Sequence, residues 1–468
     1  MNDRRKSGAD SPSQSEGDVN FSPRRAAWAA RNVDAATRDI LDADARLFLH
    51  QSVSTPCLSA IRKAEGIWIE DTAGRRYMDF HGNNVHHIGY GHPRLIAAIK
   101  AQLDELSFAP RRFANAPAVA LAEKLGRITP GALSKVLFAT GGSDAVEIAL
   151  KLARVATGRF KTVSFWDSFH GAGFGAASVG GEQLFRSGPI GPLLPGTEHV
   201  APFACYRCPY GHPDIDGKPD LERCRLACAS YVRYVLEREG NVAAVIAEPA
   251  RAVPFIPPPG YWRSVREACD ANGVLLIFDE IPTGLGKTGR MFACEHDQVV
   301  PDILVLGKAL GGGVLPISAV ICRHELDVGG AWALGHYTHE KNPVTARAAL
   351  TTIEIIEEEN LVENARIQGT RALARLEEMK RRHRLIGDVR GRGLLFGVEL
   401  VGDRTTKTAA SEEADAVLYR ALDQGLSFKT TMGNVLTLTP PLTVTAAEMD
   451  RALDIVEDCI AAVEASGP

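Results

Sequence analysis

The sequence predicts an α/β fold: a large domain built on a mainly parallel sheet flanked by helices, then a smaller α+β C-terminal domain. Three observations carry this expectation. Short apolar runs alternate with helical patterns from about residue 95 to 325, the order expected of βαβ units. The runs Val274–Phe278 and Ile303–Leu306 are apolar without alternation, as central strands covered on both faces are. Beyond residues 335–343 the pattern becomes one long helix, 344 to about 380, then a strand-rich unit around Arg390–Leu400 that ends in a helix.

Taken in order, residues 1–22 are polar and poor in bulky apolar side chains, which predicts a disordered tail. Residues 23–65 read as an amphipathic arm packing with the small domain. Gly66–Phe80 alternates around Thr72-Ala73-Gly74, the pattern of a hairpin. The large domain is expected over 66–334 and the connecting helix with the small domain over 335–468. No internal repeat is visible.

Of the 468 residues, 45% are hydrophobic and 24% charged, and the net charge is −4, which gives no footprint for binding nucleic acid. No apolar run reaches membrane-spanning length, and the basic start Met1–Lys6 leads into polar residues, so a cytoplasmic protein is expected. Its nine cysteines are then expected as reduced thiols. Four of them, Cys205, Cys208, Cys224 and Cys228, form C-x2-C and C-x3-C pairs that approach the spacing of a structural zinc site. Thiols packing a loop account for the same spacing.

Chemistry points first to Lys308, where an apolar strand pattern runs into a lysine and then Gly311-Gly312-Gly313. An ammonium there is poorly solvated, the setting in which a lysine amine becomes a nucleophile and forms a Schiff base with an aldehyde. A lysine snorkelling to water fits the same stretch. The run before it ends in Asp279 and Glu280, at the strand end where open α/β sheets bind ligands. Gly141-Gly142-Ser143 opens a clear helix and offers N–H groups to a phosphate, although a bare helix start would look the same. Together the three point to a phosphorylated aldehyde held against a carboxylate.

At this point the chain resembles the class III (subgroup II) aminotransferases, pyridoxal-phosphate (PLP) enzymes of fold type I. The resemblance runs from about residue 60 to 460 and rests on the segment Asp279–Arg290, Lys308 beyond it, Phe169-His170-Gly171, Glu248-Pro249, Gly91-His92-Pro93 and Asn342-Pro343. It implies that Lys308 carries the cofactor and later acts as general base. Asp279 then pairs with the pyridine nitrogen, Gly142 and Ser143 hold the phosphate, and Phe169 and Ile281 cover the ring faces, with His170 beside them. Glu248 lies by the substrate amine. Thr338 reaches the phosphate of a neighbouring subunit, which implies a homodimer with its active site at the interface.

Departures from that family bear on the reaction. Members that transaminate amino acids carry a carboxylate-gripping arginine three residues before a Pro-Pro pair, where this chain has Thr437. The loop Phe80–Gly89 holds Asn84 and His86 where small or apolar residues are usual, and Arg251 follows Glu248-Pro249. These features resemble the branch of the family that eliminates from small amino-alcohol derivatives, phosphate esters and aminophosphonates. The implied reaction releases ammonia from 1-hydroxy-2-aminoethylphosphonate, with transamination of an amine to a keto acid, or phospho-lyase action, as alternatives. Asn84, His86, Arg251 and Lys429 are the candidate substrate residues, and Arg207 is a further cation for an oxyanion.

Overall fold

In the computed structural model the described residues are 22–51, 56–215 and 217–466, so the expected disordered tail lies, save Ser22, outside them. Helix Pro23–Asn32 begins where the Ser22 hydroxyl accepts the Arg25 N–H at 2.9 Å, and Pro23 opens it with no N–H to leave unpaired. The helix buries Trp28, and its Arg31 and Asn32 side chains reach Asp423, at the end of helix Ser411–Asp423. A second helix, Ala35–Leu47, completes the arm from its Asp34 cap.

The main sheet has seven strands in the order Leu133–Ala139, Ser318–Arg323, Ile303–Leu306, Leu275–Asp279, Val242–Ala247, Lys161–Phe165 and Thr197–Val200. Ser318–Arg323 runs antiparallel to both neighbours, and the other pairings are parallel. Alternation divides the apolar side chains between two cores. Leu275, Ile277, Ile303 and Val305 pack with helix Gly142–Thr157 on one face. Leu276, Phe278, Leu304 and Leu306 join the larger core, with Trp262, on the other. Burial on both faces is why these strands lack a polar alternation.

Two expectations change. The long connecting helix is two helices, Pro343–Glu358 and Leu361–Arg382, because Asn360 adopts φ 53°, which ends one helix and starts the next. The hairpin of Trp68–Asp71 and Arg76–Asp79, expected within the large domain, also pairs in parallel through Arg76–Asp79 with Leu426–Ser427 of the C-terminal unit. That unit is built on the antiparallel sheet Ile386–Arg392, Leu395–Asp403, Val435–Leu438 and Lys429–Thr431.

Buried imidazoles accompany these joins. His86 and His87 are almost fully buried, and their Nε2 atoms meet the carbonyls of Asp79 and Gly284 at 3.0 and 3.2 Å. Burial pushes His86, His199 and His296 down to about 4, and His87 well below its usual value. Each folded value lies below the ordinary 6.5, so the stabilising share of each is complete above pH 6.5 and is lost as pH falls toward 4. Urea unfolding midpoints are therefore expected to fall across pH 6.5 to 4, and less steeply in His86→Gln. An equal slope in that variant would contradict the assignment to His86.

Candidate active site

Parallel register sets Phe278 beside both Ala247 and Leu304, and Asp279 beside Val305, so three strands end level with one another. The residues at or just past those ends, Glu248, Asp279 and Lys308, line one cavity of about 190 Å³. Lys308 stands at φ 45°, a region a side-chain-bearing residue rarely occupies, at the head of the tight turn Lys308–Gly311. Asp279 is 1% exposed and engaged on both oxygens: Oδ2 with His170 Nδ1 at 2.8 Å, Oδ1 with the Ile281 N–H at 3.1 Å. The carboxylate accepts, so Nδ1 carries the ring proton, and His170 Nε2 is buried with no partner.

Across the cavity, helix Gly142–Thr157 starts with no side-chain cap, leaving the N–H groups of Gly142 and Ser143 toward the opening. The loop carrying Phe169 lies directly on that start. A Cβ on Gly171 would stand 2.9 Å from Ser143 Cα, at φ 130°, so only glycine fits there. Ala172 N–H then donates to Ser143 Oγ at 3.0 Å. Phe169, His170 and Ile281 complete the predicted set around the cavity. An uncapped helix start for a phosphate, a buried carboxylate for a ring nitrogen, an aromatic face and a lysine amine fit a phosphorylated pyridine aldehyde. Thr338 is exposed and, among the described residues, does not line the cavity of its own chain.

Glu248 is held by backbone and by charge. Its oxygens accept the N–H groups of Phe169 and Ala252 at 3.4 and 3.1 Å. Arg251, predicted to contact substrate, is instead 3% exposed between two carboxylates, 3.6 Å from Glu182 and 3.6 Å from Glu248. Burial pulled it inward because a guanidinium leaves water only with anionic partners. His86 is likewise structural: its ring packs against Gly82, where a Cβ would meet Nδ1 at 2.2 Å. Asn84 is 5% exposed, with its Oδ1 unpartnered, in the turn Gly82–Asn84 that packs on the turn of Lys308. None of Asn84, His86, Arg251 or Lys429 lines the cavity itself.

Arg207 belongs elsewhere. It pairs with Glu399 and lines a larger cavity, about 380 Å³, shared with Asp388 and Arg390. Cys205, Cys208, Cys224 and Cys228 do gather around one small cavity next to it. Burial raises Cys205 to about 12 and Cys228 to about 11, which keeps both protonated. Among the described residues no group of three or more His, Cys, Asp or Glu side chains is arranged to hold a metal ion.

Three residues escaped the sequence reading. Glu182 shares Arg251 with Glu248. His81 is held well below its ordinary value by burial, then by the charge of Lys429 and, further down, of Lys308. Lys287 is fully buried, donates to the Pro440 carbonyl at 2.8 Å, and is lowered to about 7 by burial. A lysine in the glycine-rich Gly284-Leu285-Gly286-Lys287 was the one visible signal.

The family model "Aminotransferase class-III" matches residues 50–460. The chain is 47% identical to the (R)-1-hydroxy-2-aminoethylphosphonate ammonia-lyase of Vibrio splendidus (strain 12B01), over 96% of this chain and 95% of that protein. It is 39% identical to the leucine/methionine racemase of Thermococcus litoralis, over 91% of this chain and 96% of the racemase. Among solved structures, a PLP-bound amine transaminase from an uncultivated Pseudomonas species superposes with TM-score 0.83 at 31% identity. That match covers 89% of this chain and 98% of the transaminase.

If Arg251 serves to neutralise two buried carboxylates, Arg251→Met is expected to cost about 3–5 kcal/mol of unfolding free energy. Adding Glu182→Gln should restore part of the loss. Denaturant titration measures both, and a loss below about 1 kcal/mol for the single variant would refute the pairing role.

Proposed function

The chain belongs to the class-III aminotransferase family, and from that premise we propose that it is a PLP-dependent ammonia-lyase of (R)-1-hydroxy-2-aminoethylphosphonate. The products are phosphonoacetaldehyde and ammonia. Near-full-length likeness to the Vibrio splendidus lyase is the observation that carries this reading. Thr437 supports it. This buried threonine shares its hydroxyl with Thr431 Oγ1 at 2.7 Å and offers no cation to a keto-acid carboxylate, which transamination requires and elimination does not.

PLP, when bound, supplies an electron-withdrawing ring that acidifies the hydrogen on the amine-bearing carbon. The chain's own groups do the rest. Asp279, fixed by His170 and the Ile281 N–H, presents a carboxylate to the ring nitrogen. Gly142 and Ser143 hold the phosphate with backbone N–H groups. Lys308 takes the proton at Nζ and, now an ammonium, gives it to the hydroxyl leaving the adjacent carbon as water. The released enamine takes up that water and becomes aldehyde plus ammonia, so atoms balance without an acceptor. Glu248, held by Arg251 and two backbone N–H groups, stands beside the amine.

We also propose a homodimer in which Thr338 crosses to the partner's phosphate site. Beside Thr338 the exposed Phe108 meets the His339 ring edge-on, and Trp332, six residues before Thr338 in the chain, is exposed as well. The nine cysteines carry no disulfide, which fits a reducing compartment, and we place the enzyme in the cytoplasm.

Wild-type enzyme is expected to release ammonia from (R)-1-hydroxy-2-aminoethylphosphonate with no keto acid present, and Lys308→Ala to lose at least about a thousandfold in kcat. Turnover that needs pyruvate or 2-oxoglutarate would replace this reading by transamination. Inversion of leucine or methionine without ammonia release would replace it by racemisation.

A further inference from the structure

We infer that Cys205 and Cys208 form a thiol–disulfide exchange site, a dithiol that small-molecule disulfides oxidise reversibly to an intramolecular disulfide. The site lies outside the cofactor cavity and stands whatever reaction that cavity performs.

Local geometry makes the pair. Cys205 opens the single 3-10 turn Cys205–Arg207, and Cys208 follows it directly. In such a turn side chains three residues apart stand one above the other, so the two thiols project to one side. Both line the same small cavity, together with Cys224 and Cys228.

The second pair is built differently. Cys224 ends the short helix Leu221–Cys224, and Cys228 sits in the first turn of helix Ala227–Glu239. Arg225 and Leu226 between them both adopt the left-handed region, at φ 46° and 54°. That break takes Cys224 and Cys228 off the common face they would share four residues apart on a continuous helix. Alignment therefore favours Cys205 and Cys208 as the bonded pair.

Access differs between the two in the way exchange requires. Cys208 is half-buried between the exposed Arg207 and Pro209, whereas Cys205 lies between the buried Ala204 and Tyr206. A reagent meets Cys208 first. The Cys208 thiolate attacks one sulfur of the incoming disulfide, breaking that S–S bond and releasing one thiol. Cys205, its proton passed to water, then attacks the Cys208 sulfur and releases the second thiol. The protein loses two electrons and two protons, and the reagent ends as two thiols. Burial raises Cys205 to about 12, but it reacts within the molecule, where effective concentration makes up for a small thiolate fraction. The same high value makes Cys205 a poor leaving group, so the bond opens slowly.

The residues enclosed by the bond give it a consequence. Arg207 pairs with Glu399, and Lys407 Nζ donates to the Tyr206 carbonyl at 2.6 Å. Both partners belong to the C-terminal unit, so oxidation stiffens a contact with that unit. In a reducing compartment the bond is transient, forming as the disulfide pool rises.

The test treats full-length holoenzyme with oxidised glutathione, unfolds it in acid, alkylates the remaining thiols and maps the peptides by mass. Cut at glutamate, the chain puts Cys205 and Cys208 on one peptide and Cys224 and Cys228 on the next. In wild type the first peptide is expected to lose both alkylation sites and become lighter by two hydrogens, and dithiothreitol should restore both sites. Cys224→Ser should leave that result unchanged, whereas Cys208→Ser should leave Cys205 fully alkylated, each variant being checked for folding by thermal melting. Both thiols alkylated after treatment, a cross-link to the next peptide, or glutathione retained on Cys208 overturns the assignment. Stoichiometric zinc held by the four thiols of the untreated protein overturns it as well.

Discussion

Parallel strand register is the constraint on which the site depends. Hydrogen bonding fixes Phe278 beside Ala247 and Asp279 beside Val305, and that alignment brings Glu248, Asp279 and Lys308 to one edge from distant parts of the chain. A slip of one residue would turn every side chain of a strand to the opposite core. Because Leu275 and Ile277 pack on one face while Leu276 and Phe278 pack on the other, both cores resist such a slip. Catalytic geometry is therefore secured by apolar packing that touches none of the chemistry.

Charge then has to be handled inside this dry frame. The protein does so by pairing each buried ion with a small, fixed set of groups. Asp279 has His170 and a backbone N–H, Glu248 has Arg251 and two backbone N–H groups, and Lys287 has the Pro440 carbonyl. Such contacts add little net stability relative to an apolar core, but they fix where each polar atom points. Lys287 adds a tie between the large domain and the segment that follows Thr437. The segment Thr439–Pro440 is thus anchored to the large domain through a buried amine that burial lowers to about 7.

How much of this was legible in the sequence follows from where each signal lives. Lys308, Asp279 and the Gly142-Ser143 helix start each interrupt an apolar or helical pattern with one residue of the wrong polarity, and a local pattern is enough to see that. The two cores are equally local, since a strand buried twice has no polar alternation. Arg251 is ambiguous in sequence because its partner Glu182 comes from a remote segment, and a guanidinium beside a cleft looks the same there whether it faces substrate or carboxylates. The pairing of Arg76–Asp79 with Leu426–Ser427 joins opposite ends of the chain, and a strand of two residues carries no periodicity. Asn360 could have been seen: asparagine tolerates the left-handed region, yet within an unbroken helical pattern that tolerance is silent.

The relatives make the chemical argument sharper. Racemisation, amino transfer and elimination of ammonia all occur within likeness of this chain, so likeness to the family does not by itself decide the outcome. Each begins with removal of the same proton. What differs is what can happen next at the carbon beside the amine. On the proposed reading, the hydroxyl on the adjacent carbon departs as a proton reaches it from the ammonium formed at Lys308. A carboxylate-binding cation would serve only a second substrate that this course never uses. On the proposed reading the same proton-removing apparatus turns toward elimination, because Thr437 gives no grip on a keto acid.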